Sequence, residues 1–278
     1  MSVSVEHQMT EIYCFVDEFL QTHPTLARWR RSPHAQPQFS DAEVLTIALL
    51  QGVLAVATLK QTYRLVARNW RSAFPTLPTY TQWVARVHQL WPQVGRVLAA
   101  TCRHASSAAR LYLIDSKPIP LCAPIRHGRV RLLRDEGAYF GKTSKGWFFG
   151  FKLHLLRHIQ GRVLNIILTP GNLDDRDPAG ALMQTVDGGV TLGDLGYRGP
   201  ECADSLAEEA GMLLITRDRA PMHKFVLSQV RQGIETAFSQ LWWRFVDRVF
   251  SRSWRGLWNT IQLKVLFYNL VHAGIVTV

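Results

Sequence analysis

The sequence predicts an α/β fold: a mixed sheet flanked by helices, preceded by an all-α, helix-turn-helix-like N-terminal domain. Up to about residue 105, apolar residues recur at helical spacing behind good capping residues. From residue 110 the texture changes to short apolar runs of strand length, bounded by Gly, Pro and Asp. Two of these runs end alike: Leu111-Tyr112-Leu113-Ile114 runs into Asp115, and Val190-Thr191-Leu192-Gly193 into Asp194. A carboxylate closing a buried strand is costly unless its charge is compensated, so a lone Asp capping a turn explains either run less well than it explains one in isolation.

In the N-terminal part, residues 4–31 read as a helix, with Ile12, Phe15, Val16, Phe19 and Leu20 on one face. Ser40-Asp41-Ala42-Glu43 is a capping box and predicts a helix to about Val56. Thr58 caps a second helix to about Asn69, with Lys60, Arg64 and Arg68 on its outer face. After the turn Phe74–Pro78, Thr79 caps a third, from Tyr80 to about Leu90, bearing Arg86 and His88. Short helices, tight turns and basic faces fit a helix-turn-helix that binds DNA through Arg64 and Arg68, although a structural or dimerising bundle has the same pattern. A further helix, Gln93 to about His104, leads to the small residues Ser106–Ala109, which mark the boundary between a helical domain (1–105) and a second domain (106–278).

In the second domain the strands are Leu111–Asp115, then Phe148–Leu156 and Val163–Thr169 joined as a hairpin by Gln160-Gly161. Arg126–Lys145 reads as a basic loop. Lys152 and His154 alternate with Phe151, Leu153 and Leu155, which gives one polar strand face. A turn, Pro170–Asp175, precedes a helix from about Pro178 to Val186. Strand Val190–Asp194, helix Gly199–Ala210, strand Met212–Thr216 and helices Phe225–Val249 and Leu257–Ala273 complete the chain. Strand, hairpin, helix, strand, helix, strand, helix is the order of a ribonuclease H-like domain. That architecture sets the first and fourth strands side by side, bringing Asp115 to Asp194. Glu235, on a later helix four residues after Arg231, could complete the cluster or merely pair with Arg231. Glu208 and Glu209 are alternative third carboxylates, and Asp175 is a further acidic candidate.

The 278 residues carry a formal net charge of +11, with 47% hydrophobic residues. The excess is local: residues 110–162 hold 11 basic and 3 acidic side chains, whereas residues 163–278 hold 11 and 12. Such a balance favours a polyanionic partner, nucleic acid first. The four cysteines are far apart and show no zinc spacing, which fits a reducing compartment. No secretory signal or spanning apolar run stands out, so a cytoplasmic location is expected.

The motifs Leu113-Ile114-Asp115-Ser116, Tyr139-Phe140-Gly141-Lys142, Phe149–His154, Pro170–Asp175, Gly193-Asp194-Leu195-Gly196-Tyr197 and Arg231–Phe238 occur in one order over residues 40–275. In this the chain resembles the DDE transposases of bacterial insertion sequences. The resemblance implies two Mg²⁺ ions (or Mn²⁺) held by Asp115, Asp194 and Glu235. It also implies metal-dependent cleavage and strand transfer of double-stranded DNA, and a homodimer on that DNA. Lys142, Lys145, Lys152 and Arg231 would bind the DNA backbone. The chain departs from its relatives where some carry a base two turns beyond the Glu: Leu241, Trp242 and Trp243 stand there, with Arg244 the nearest candidate. Two other readings are a structure-selective nuclease that cuts without joining, and a DNA-binding protein with a decayed site.

Overall fold

The computed structural model describes residues 3–29, 37–103, 110–144, 146–216, 236, 239 and 251–277. The chain forms two compact units. One comprises residues 1–101, 241–247 and 255–278, and the other residues 102–240 and 248–254.

The first unit is helical. Its elements are α1 (Val5–Thr22), α2 (Asp41–Val53), α3 (Leu59–Asn69), α4 (Tyr80–Gln89), α5 (Trp91–Arg103) and the C-terminal α8 (Trp254–His272). The capping residues act as the sequence implies. Ser40 and Glu43 form the reciprocal box that starts α2, Thr58 accepts from the Gln61 N–H to start α3, and Thr79 with Gln82 boxes α4. The first helix is shorter than expected, because the chain turns at Pro24 into a 3₁₀ stretch, Pro24–Trp29. Helix α3 buries Thr62 and Val66 and leaves Lys60, Arg64 and Arg68 exposed as a stripe at four-residue spacing. Arg86 is different: its guanidinium donates to Asp41 and to the Phe39 carbonyl, so this basic side chain ties α4 to the start of α2.

The C-terminal helix was expected with the second domain, but it packs among the N-terminal helices. Asn259 Nδ2 donates to the Val87 carbonyl at 3.0 Å. A Cβ on Gly52 of α2 would stand 2.3 Å from Phe267 of α8, so only glycine admits this ring against α2. Helix α8 is apolar on nearly every side, which suits a central position in a bundle.

The second unit is built on β1 (Leu111–Pro120), β2 (Tyr139–Thr143), β3 (Gly146–His158), β4 (Val163–Pro170), β5 (Gly189–Gly193) and β6 (Met212–Thr216), with helices α6 (Ala179–Met183) and α7 (Pro200–Ala210). The sheet runs β2-β3-β1-β5-β6, and β4 also pairs with β3. Strand β3 is long enough for β2 to pair with residues 146–150 and β4 with residues 151–157, end to end along one edge, while β1 takes the other edge. The hairpin strands are antiparallel, and β1, β5 and β6 are parallel. This is the ribonuclease H-like mixed sheet read from the sequence. The segment expected to be a basic loop differs, since it contains a 3₁₀ stretch, Pro124–Arg129, and the edge strand β2. Its Arg, Lys and Gly content masked the short Tyr139-Phe140-Gly141 run. Helices α6 and α7 cover one face, where Tyr112, Ile114 and Leu156 join Leu182, Met183, Tyr197 and Leu206 in a core cluster. Pro200 in the first turn of α7 and Gly211 in a left-handed conformation after its end are the expected start and stop. Among the described residues, no helix is long and apolar enough to cross a membrane.

Lys264 of α8 is 3% exposed, and burial pulls its pKa from 10.5 down to about 7. The unfolded chain therefore binds this proton more readily than the folded one. Stability should fall as pH drops from about 10.5 to about 7 and level off below that. Lys264→Met should remove this slope and raise stability at pH 7 by on the order of 4 kcal/mol. Urea midpoints at pH 7 and pH 10 check it, and equal slopes in both proteins would refute it.

Candidate active site

The pairing of β1 with β5 runs Leu111 to Val190, Tyr112 to Thr191 and Leu113 to Leu192. Carried on two residues, that register points Asp115 and Asp194 to the same end of the strand pair. The side chains follow it: a Cβ on Gly193 would stand 3.3 Å from Ile114 Cγ2, as partners in that register must. Asp194 leaves the strand to cap a 3₁₀ turn, Leu195–Tyr197, and its Oδ1 accepts from the Gly196 N–H at 2.8 Å. Asp115 Oδ1 accepts from the Ser116 N–H at 2.7 Å. Each carboxylate is thus oriented by its own backbone.

A further carboxylate is turned toward Asp194. In the turn Pro170–Asp175 the two adjacent aspartates diverge. Asp174 faces outward, and the Arg176 guanidinium holds its pKa down to about 2. Asp175 faces inward: its Oδ1 accepts from Lys152 Nζ at 2.9 Å, and its Oδ2 lies toward Gly196. A Cβ on Gly196 would be 2.9 Å from Asp194 Oδ1 and 3.5 Å from Asp175 Oδ2, so the absence of a side chain lets the two carboxylates close on that point. Tyr197 closes the 3₁₀ turn that Asp194 caps. It is fully buried, and its hydroxyl has no hydrogen-bond partner among the described residues. Burial first, then the negative charges of Asp175, Asp115 and Asp194, raises its pKa well above the usual range.

The polar face of β3 is covered instead of solvated. Lys152 Nζ donates to the Leu173 carbonyl at 2.7 Å as well as to Asp175. His154 shares a 2.8 Å hydrogen bond with Thr169 and is wholly buried. Burial, partly offset by Asp175, drives its pKa to about 4, so the ring is neutral at neutral pH.

Of the other expected residues, Lys142 is exposed on β2 with its ammonium 5.8 Å from the Trp147 ring centroid, and Arg64 and Arg68 are exposed on α3. Glu235, Arg231 and Lys145 lie outside the described residues, as do Trp242, Trp243 and Arg244. Glu208 and Glu209 sit at the far end of α7, where Gly211 packs on Gly188 at the start of β5, whereas Asp194 follows the other end of that strand. Among the described residues, no three His, Cys, Asp or Glu side chains converge tightly enough to hold an ion. The carboxylates of Asp115 and Asp194 are the hard oxygen donors that Mg²⁺ and Mn²⁺ take. Reading the sequence left the role of Tyr197 unseen and gave Asp175 little weight. The Gly-Tyr after Asp194 carries the signal, but its meaning depends on which carboxylates surround it.

Residues 105–240 match the family model described as a transposase DDE domain. This part of the chain is a transposase DDE domain. Two solved structures are similar to this chain. One is the cryo-EM structure of a piggyBac transposase synaptic complex with hairpin DNA, at 11% identity over 98% of this chain and 73% of that one, with a TM-score of 0.47. The other is the Mos1 transposase paired-end complex with the left transposon end, at 14% identity over 89% of this chain and 82% of that one, with a TM-score of 0.24. No curated protein matches the chain.

Tyr197→Phe should leave stability unchanged or raise it by up to about 1 kcal/mol, because it removes a buried hydroxyl without a partner. Tyr197→Ala should cost about 3–5 kcal/mol through the cavity it leaves. Denaturant midpoints of both variants test this, and a loss above about 1.5 kcal/mol in Tyr197→Phe would mean the hydroxyl holds a stabilising bond.

Proposed function

We propose that the chain is an insertion-sequence transposase that binds the ends of its element as a homodimer and catalyses metal-dependent DNA cleavage and strand transfer. The observation that carries this reading is the register that brings Asp115 to Asp194 inside a segment matching a DDE domain. Asp115, Asp194 and Glu235 would hold two Mg²⁺ or Mn²⁺ ions. When bound, the ions supply the Lewis acidity and charge neutralisation that in-line displacement at phosphorus requires.

The chain's own residues do the remainder. The Ser116 and Gly196 amides aim the Asp115 and Asp194 carboxylates before any ion arrives. Repulsion between those carboxylates weakens the empty site and is relieved by a cation. Lys142 and the exposed Arg126, Arg129, Arg131 and Arg134 offer cations to the phosphates on either side of the scissile bond. Lys145 and Arg231 are proposed to extend that surface. In the helical unit, the Lys60, Arg64 and Arg68 stripe is the proposed phosphate-binding face for the element end.

Asp115→Asn and Asp194→Asn should each reduce Mn²⁺-dependent nicking of supercoiled plasmid by more than the roughly 10–100-fold that losing a supporting residue costs. Both should leave duplex binding in EDTA unchanged. Nicking at the wild-type rate by either variant would remove that residue from the site, and nicking without joining of a pre-cut end would make the protein a nuclease.

Arg64→Ala and Arg68→Ala should each weaken duplex binding and lower the log–log salt slope by about 0.9. Binding measured by fluorescence anisotropy from 50 to 200 mM salt reads this out. Unchanged slopes would reassign the stripe to a purely structural surface.

A further inference from the structure

Lys152 reads from the sequence as a phosphate-binding residue. In the structure its ammonium is turned inward: the side chain is 15% exposed, and its donors go to Leu173 O at 2.7 Å and Asp175 Oδ1 at 2.9 Å. Both acceptors belong to the turn that follows β4. One lysine on β3 thus ties down two residues of the turn, Leu173 and Asp175, that lie beyond the end of the β3–β4 ladder. Each of the two Asp175 oxygens has its own direction. Oδ1 is fixed by Lys152, which leaves Oδ2 facing Asp194 across Gly196. The Tyr197 hydroxyl, fully buried and unpartnered among the described residues, feels the negative charge of these carboxylates and of Asp115.

We propose that Lys152 is a positioning residue for the carboxylate site: it braces the 170–175 turn so that Asp175 presents a third carboxylate beside Asp194. This rests on the reading of the site as a divalent-cation centre. The brace has a clear physical logic. Asp175 brings a third negative charge to a site where two carboxylates already repel each other, and the fixed ammonium 2.9 Å away offsets it. The cation can then be met by an oxygen whose position does not depend on the cation's arrival. A lysine suits this role, since its three donors can serve a carbonyl and a carboxylate at once from a flexible stem.

The test uses the full chain with Lys152→Met, Lys152→Arg and the isosteric Asp175→Asn. Three readouts are taken: hydrogen exchange of residues 170–177 without metal, the Mn²⁺ concentration giving half of the metal-induced rise in Tm, and duplex affinity in EDTA against salt. Lys152→Met should speed exchange in the turn and raise the Mn²⁺ midpoint about 10–100-fold, the usual cost of losing a supporting residue. Duplex affinity and its salt slope should not change. Asp175→Asn should give the same shift of the midpoint, and Lys152→Arg should restore most of it. A Lys152→Met protein with an unchanged Mn²⁺ midpoint and a salt slope lowered by about 0.9 would make Lys152 a phosphate contact and overturn the proposal. If the wild type shows no Mn²⁺-induced rise in Tm, the cation-centre reading fails, and the exchange data still judge the brace, which unchanged exchange in the turn would overturn.

Discussion

Parallel pairing of β1 with β5 is the constraint from which the site follows. Two strands separated by 68 intervening residues meet in one register, and a shift of a single residue would carry Asp115 away from Asp194. The register is held from one face. Ile114 and Tyr112 of β1 and Thr191 of β5 are buried against α6 and α7, with Thr191 donating to the Met183 sulfur. The apolar packing under the strands thus locates two charges, Asp115 within β1, which runs on past the expected end to Pro120, and Asp194 just after β5. The charges themselves oppose the fold, and the core cluster offsets them.

A second layer of order comes from polar groups that are buried but matched. Lys152, His154 and Thr169 lie on covered faces of β3 and β4, where an unmatched polar atom would cost about 1–3 kcal/mol. Lys152 and Thr169 are matched within the turn and the hairpin; His154 stays neutral and is matched through Nε2 alone, its Nδ1 having no partner among the described residues. The turn Pro170–Asp175 divides its acids between two cations, Arg176 outside and Lys152 inside. That division separates a solvated ion pair, worth little in stability, from one that faces the site.

The helical unit is organised by close approach. Gly52 admits Phe267, the caps of α2, α3 and α4 satisfy the first-turn amides, and Arg86 with Asp41 joins α4 to α2. Of the basic side chains on these helices, Arg86 is thereby internal, whereas Lys60, Arg64 and Arg68 remain available to a partner.

Local chemistry was legible in the chain alone. Capping residues located the starts of α2, α3 and α4, because a cap acts over three or four residues. Short apolar runs located β3, β4 and β6, and the repeated strand-to-Asp pattern singled out Asp115 and Asp194. What the tertiary structure decided are the pairings between residues far apart. Helix α8 is buried on nearly every side, polar residues included, so nothing in its pattern says which unit it joins, and Phe267 against Gly52 and Asn259 on Val87 assign it. Strand β2 is short and embedded in basic residues, and it exists because the exposed edge of β3 offers it hydrogen bonds. Lys152 illustrates the general reason. Alternation in a strand says that a residue is on a face, but whether that face meets water or a turn bearing Asp175 depends on a segment more than twenty residues away, where local patterning carries no information.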